Sequence, residues 1–340
     1  MSKRPTMQDV ADMAGVSLST VDRILNRRTT VKPSTLRHVL ETAQRIGFYG
    51  TPVIRDRLSE QAPACTFGFL LNPAPRTLYR EFADRLSERV RNAARVRGTP
   101  MVVHLDRLDE RMMIDRLYQL AAQCDVIAAV VFDTPAVHDA LKDISAKGCG
   151  VVAMLTDVCA PECLAFIGAD PIKMGRGTGW IISALLPAGG RVLLLSGSRS
   201  YNAHQAYVSG FQSYVATTSC SLDVGPVVYT QEEDARAEDI VRSVLDQDLI
   251  AGIVVAGGGL EGVVRATQKV PMPPKIIGTE ASPYIDIALA AGTVDAVISH
   301  PLTAVVEQTV TAMEDFILSG RRIGRKDHIV PVEIRISETV

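Results

Sequence analysis

Carboxylates, an amide, an arginine and aromatic rings fall at or just beyond the ends of apolar, strand-length runs in this chain. They are Asn72 with Arg76 and Tyr79, then Asp133, Asp157, Asp170, the stretch Arg199–His204, the stretch Gly257–Leu260 with Gly258 and Leu260, Glu280 and His300. In open α/β sheets, ligands bind beyond the carboxyl ends of the strands. This combination suits a polyhydroxylated ligand, since carboxylates accept from pairs of hydroxyls and rings stack on a sugar face. Any one of these residues reads equally well as an ordinary polar loop residue. No nucleophile elbow, phosphate-binding Walker loop or zinc-protease pattern occurs, so no catalytic residue is assigned. The six histidines lack metal-ligand spacing and Cys159/Cys163 have no second pair, so no metal site is expected, and no cofactor beyond a small-molecule effector.

The positioning elements begin at Thr66. Candidate strands are 66–71, 100–105, 126–133, 150–155, 191–196, 224–229, 250–255, 275–278 and 295–298, with amphipathic helices such as 76–98, 107–123 and 170–186 between them. Such alternation predicts parallel sheets in an α/β layer architecture, with strands enough for two sheets. One motif supports a competing enzyme. Gly257-Gly258-Gly259-Leu260-Glu261-Gly262 satisfies G-x-G-x-x-G, follows a strand, opens a helix, and precedes Glu280 by 18 residues, as an NAD(P) fingerprint would. A glycine run lining a ligand cleft explains the same residues, and most of the strands precede it.

A different chemistry is written at the N-terminus. Thr6 can cap a helix from about Met7 to Ala14, Gly15 permits a sharp exit, and Ser17 can cap a second helix. In that helix Val21, Ile24 and Leu25 point inward, and Leu18, Ser19, Asp22 and Arg23 face out. Side chains at the start of such a helix reach base edges in the major groove. Arg27 and Arg28, just beyond, suit phosphates. Pro33 opens a third helix, with Leu36, Val39, Leu40, Ala43 and Ile46 as its apolar stripe and Gly47 at its end.

Val10-Ala11-x-x-Ala14-Gly15-Val16-Ser17-x-x-Thr20-Val21-x-Arg23-x-Leu25-Asn26, continued by Val31, Thr35, Arg37, Val39 and Ile46-Gly47-Phe48, closely resembles the headpiece of the lac-repressor (LacI/GalR) family. The resemblance implies DNA contacts at Thr6, Ser17, Leu18, Ser19, Thr20, Asp22, Arg23, Asn26, Arg27 and Arg28, with Leu18, Ser19 and Arg23 on bases. Asp22 stands where the family usually has Ser, and either orients Arg23 or accepts from a cytosine amine. Relatives use residues like 49–64 as a hinge that orders on DNA. Leu58 is then the candidate minor-groove wedge, although a plain solvated linker reads as well. The body resembles the two-lobed sugar-binding fold, which implies crossings between lobes near Asp170, His300 and Gly324, with a final strand at 328–336 rejoining the second lobe. It also places Glu280 at a sugar-binding acidic position, His300 where relatives have Gln or Asp, and Gln205 or Tyr207 where an effector-binding Arg is common.

Composition agrees with this division. Residues 1–60 carry ten Lys/Arg against six Asp/Glu, and the remainder is acidic within a net charge of −2, so a nucleic-acid contact is expected at one end only. No apolar run can span a bilayer and the first residues have no signal-peptide core, so a cytoplasmic protein with no membrane partner and free thiols is expected. The expected organisation is a helix-turn-helix domain at 1–48, a hinge at 49–64, and an effector and dimerisation domain at 65–340. Within that domain, lobe 1 takes about 65–169 and 300–324, and lobe 2 about 170–299 and 325–340. The expected function is a ligand-responsive regulator, a repressor of carbohydrate or polyol metabolism. Its partners are double-stranded operator DNA, a small-molecule effector and a second copy of itself, with a tetramer left open.

Overall fold

Two short helices open the chain because each has a side chain ready to satisfy its first free N–H groups. The computed structural model describes residues 4–26 and 31–340. Thr6 and Asp9 form a reciprocal capping box at helix α1 (Met7–Met13), and Ser17 accepts from the Thr20 amide at α2 (Leu18–Leu25). Gly15, at φ +62°, turns the chain between them, and Gly47, at φ +70°, ends α3 (Pro33–Ile46). Val10, Ala11, Val21, Ile24, Leu36, Val39 and Leu40 close a small core.

The segment expected as a hinge is a helix, α4 (Thr51–Gln61), packed on α2 and α3. Ile54 and Leu58 are buried in the same core beside Phe48. Leu58, at which the resemblance implies a minor-groove wedge, is therefore a core residue of the headpiece in the DNA-free chain. The chain forms two compact units, residues up to 66 together with 88–100, and residues 67–87 with 101–340.

The second part alternates as expected. It begins β1 (Ala64–Leu71), α5 (Thr77–Arg91), β2 (Arg97–His104), α6 (Glu110–Ala121), β3 (Val126–Ala129), α7 (Pro135–Ala146), β4 (Gly150–Met154) and β5 (Cys163–Ala169). It continues α8 (Pro171–Leu185), β6 (Gly190–Ser196), α9 (Asn202–Thr217), β7 (Leu222–Val224), β8 (Val228–Tyr229), α10 (Asp234–Leu245) and β9 (Gly252–Ala256). The last elements are α11 (Leu260–Thr267), β10 (Lys275–Gly278), α12 (Pro283–Ala290), β11 (Ala296–Ser299), α13 (Leu302–Leu318), β12 (His328–Val330) and β13 (Glu333–Arg335).

Two sheets result, ordered β12-β5-β4-β3-β1-β2 and β13-β11-β10-β9-β6-β7, with β8 added on β6. Among the pairings whose register is described, all are parallel apart from β13, which runs antiparallel to β11. Several expectations need correction. β5, seven buried residues, was not foreseen, and the strand expected at 224–229 is split into β7 and β8. The tail expected to rejoin the second lobe as one strand serves both. His328–Val330 extends the first sheet beside β5, and Glu333–Arg335 edges the second. The third crossing is thus at Pro331–Val332 rather than near Gly324. Proline cannot donate to a ladder, so a strand shared between sheets breaks naturally there.

Helix α8 lies hard against α9, because a Cβ on Gly175 would overlap the Tyr207 carbonyl and one on Gly210 would overlap that of Ile172. This close approach sets Tyr207 and His204 of α9 at the mouth of the second sheet. The first unit supplies a stability test. Leu58→Ala is expected to lower that unit's stability by about 2–5 kcal/mol, as other buried Leu truncations do. Chemical denaturation of the DNA-free protein checks it; a residue serving only as a DNA wedge would leave the curve unmoved.

Candidate functional site

Helix α2 presents Leu18, Ser19, Arg23 and Asn26 to solvent. Arg23 leans on its own helix, its Nε donating to the Ser19 carbonyl at 3.0 Å and its Nη2 to Ser19 Oγ at 3.2 Å. Asp22 accepts from Asn26 Nδ2 at 2.6 Å, so the partner orienting Arg23 is Ser19 and not Asp22. Thr6 and Ser17 act as caps, and the Thr20 hydroxyl bonds that of Ser17 at 2.9 Å. Arg27 and Arg28 lie outside the described residues.

In the second unit a cavity of about 70 Å³ lies between the two sheets. Tyr79, Thr156, Tyr201, His204, Tyr207, Thr279, Glu280 and His300 supply its polar groups, among Leu78, Val130, Leu155 and Met174. Beside it Arg76, in the turn after β1, reaches across the cleft. It forms ion pairs with Glu232 and with Glu280, both from the second lobe, and its guanidinium stands 5.0 Å from the Tyr79 ring centre. The Arg76 and Glu232 side chains are only 11% and 4% exposed, so the pair is effectively out of water.

Burial opposes the charge on both members, yet their mutual attraction prevails. Desolvation would raise the Glu232 carboxyl, but Arg76, His204 and the Gly258 amide at 3.1 Å hold it below its ordinary range. Desolvation would also lower Arg76, and Glu232 with the two tyrosines outweighs it. Burial pushes the Tyr79 hydroxyl up to about 12 and holds His204 below its ordinary value. His300 is lowered by burial, and further by His204, to about 4. The neutral ring accepts from the Ala169 amide at Nδ1, 2.9 Å away.

Further bonds fasten the lobes. Tyr201 Oη donates to Asn72 Oδ1 at 2.8 Å, while Asn72 Nδ2 donates to Tyr79 Oη at 3.0 Å. The Ala203 amide donates to Thr156 Oγ1 at 3.2 Å, and the Asp133 amide to the Ser200 carbonyl at 3.0 Å.

Several of the expected ligand residues are engaged elsewhere. Asp157 is held by Arg325 at 2.7 Å, Asp133 accepts from His138 and the Cys159 amide, and Asp170 caps α8. Gln205 is exposed and donates to the Arg199 carbonyl, and Leu260 belongs to the second lobe's core. None of these five lines the cavity. Glu232 was missed. It sits at φ +66° just past the two-residue β8, with Gly197 and Gly257 facing it where any Cβ would overlap its carboxylate or His204. The dinucleotide reading fails on the same contacts. The Gly258 amide donates to Glu232 and the Gly262 amide to Asp234, so the protein's own carboxylates stand where a diphosphate would bind.

The family described as "Periplasmic binding protein domain" matches residues 75–321, and that described as "Bacterial regulatory proteins, lacI family" matches residues 6–50. Catabolite control protein A of Priestia megaterium is 38% identical over 83 residues, 24% of this chain and 24% of that protein. The HTH-type transcriptional regulator GalR of Lacticaseibacillus casei is 33% identical over 120 residues, 35% of this chain and 32% of that protein. The chain thus aligns with a third or less of these relatives' length. A solved solute-binding protein of Burkholderia graminis in complex with D-arabinose superposes with a TM-score of 0.74 at 14% identity, over 82% of this chain and 97% of that one. One from Bacillus halodurans with bound myo-inositol gives 0.71 at 14% identity, over 82% and 97%. At such identity the likeness establishes the fold alone.

His300 generates a pH test. Its folded value of about 4 lies below the ordinary 6.5, so between these the unfolded chain binds more protons. Its contribution to stability is therefore full above about pH 6.5 and lost as pH falls toward 4. Glu232, held below 4.5, loses its own only at lower pH still. Urea midpoints measured from pH 7 to 4 are expected to fall in wild type and to stay flatter in His300→Asn.

Proposed function

We propose that this chain, which belongs to the periplasmic binding protein domain family and carries at its N-terminus the module of bacterial regulatory proteins of the lacI family, is a sequence-specific DNA-binding transcriptional regulator under small-molecule control. The observation that carries the reading is the presence, in one chain, of a capped recognition helix with Leu18, Ser19 and Arg23 exposed and a two-lobed cleft lined by tyrosines, histidines and a carboxylate. A helix-turn-helix reads bases from the start of its second helix, and one copy offers few such contacts. A homodimer on a pseudo-palindromic operator supplies enough.

In this reading the effector enters the cleft from a cytoplasmic pool and shifts the balance between lobe arrangements, which changes the spacing of the two headpieces. It acts only to the extent that its affinity differs between those arrangements. Repression of genes for carbohydrate or polyol use is the version best supported, since the cavity offers hydroxyl-bearing and aromatic side chains suited to such ligands.

Arg23→Ala tests the DNA half. It is expected to weaken operator binding by about 1–3 kcal/mol and to relax preference at one base pair of each half-site. Binding assays on the operator and on single-base variants at fixed salt check this, and unchanged base preference would remove Arg23 from the reading surface.

A further inference from the structure

The cleft carries an unbalanced charge, and its sign constrains what can enter. Among the described residues lining the cavity, Glu280 bears the one full charge at neutral pH, because His204 and His300 are both held neutral. Immediately beside it lies Glu232, ionised and almost wholly buried. Arg76 is the cation that both carboxylates share, so the three groups together keep one negative charge in excess. A second small hollow that Arg76 also lines adds to it, being walled by Asp234, Glu261 and Glu280, with no lysine and no second arginine among its described lining residues.

The Arg76 guanidinium itself occupies a cation cage, two carboxylates and a tyrosine ring. The free space next to it is about 70 Å³, and it adjoins a larger hollow of about 540 Å³ between the lobes that shares Leu78, Leu155, Thr279 and His300 with it. A ligand that reaches both carboxylates must displace the guanidinium between them, and parting of the lobes withdraws Arg76, a first-lobe residue, from these second-lobe groups. A neutral ligand would leave both carboxylates without a counter-charge in a dehydrated cleft, and an anionic one would be worse.

We infer that the effector is a polyol bearing a protonated amine or amidine, whose cation takes the place of the Arg76 guanidinium between Glu232 and Glu280. This rests on the cleft being the effector site. Arg76 is then an intramolecular competitor, and the acidic rim around Asp234 and Glu261 draws the cation in.

Two measurements on the full chain test the assignment. Arg76→Ala should be stabilised saturably by methylguanidinium in thermal melts, and the shift should vanish in the Arg76→Ala/Glu232→Gln double variant. In calorimetric titrations wild type should bind D-glucosamine at least about tenfold more tightly than D-glucose, and D-glucose 6-phosphate least tightly, an order that Glu232→Gln should level. The wild-type titration decides alone if Arg76→Ala does not fold. Equal or tighter binding of D-glucose or its phosphate, or no difference among the three, overturns the proposal, as does a methylguanidinium shift that survives Glu232→Gln. Selective amine binding with operator affinity unchanged would uphold the cation cage and refute the regulatory reading of the cleft.

Discussion

Arg76 leaves the first lobe in a tight turn and ends between two carboxylates of the second, and much of the cleft is arranged to make that tolerable. Removing an ion pair from water costs more than the attraction returns unless geometry and hydrogen bonding are good. The structure meets that requirement piece by piece. The Gly258 amide donates to Glu232, the Tyr79 ring flanks the guanidinium, and Asn72 fixes Tyr79 while accepting from Tyr201 across the cleft. Glu232 is brought into place by a left-handed backbone at φ +66°, a conformation that costs a residue with a side chain on the order of 1–3 kcal/mol. Gly197 and Gly257 keep the space for its carboxylate free. Strain and glycine placement around one carboxylate mark it as more than a solvated loop residue.

Because the lobes are joined by three crossings, at Asp170, His300 and Pro331–Val332, their relative motion is confined to rotation about a narrow hinge. Two of those crossings are also helix starts, since Asp170 caps α8 and Pro301 precedes α13. His300 stands at the second crossing and bonds the Ala169 amide at the first. His300 thus belongs both to the lobe crossings and to the lining of the cavity.

Much of this was legible beforehand, for physical reasons. Strands buried on both faces leave nearly continuous apolar runs, and polar residues at their carboxyl ends converge by topology, so Tyr79, His204, Glu280 and His300 could be named from position alone. The same rule overshot at Asp133, Asp157 and Asp170, whose nearest donors are His138, Arg325 and backbone amides. A strand-end carboxylate satisfies itself with whatever donor folds nearby, and sequence spacing does not reveal which. Glu232 was illegible because the strand before it has two residues, too few to show a period, and because φ > 0 at a Glu leaves no compositional trace. β5 escaped notice for another reason. Cys163-Leu-Ala-Phe-Ile-Gly-Ala mixes small residues and a thiol into a run that lacks the Val/Ile density of its neighbours.

The N-terminal unit illustrates how burial reassigns a residue. Gly50, Thr51 and Pro52 make 49–64 look like a solvated linker and only 55–58 suggest a helix, yet Ile54 and Leu58 are four apart and so share one helix face. Once those two side chains join Phe48, the headpiece gains a fourth wall, and its core no longer depends on three short helices alone. That changes what the exposed face of α2 can do. With Val21 and Ile24 fully buried and both helix starts capped, Leu18, Ser19 and Arg23 are held on a rigid element before DNA is present. In the proposed contact with a base edge Arg23 gives up its bonds to Ser19, and a side chain already ordered along its helix loses less freedom in binding than one that waves in solvent.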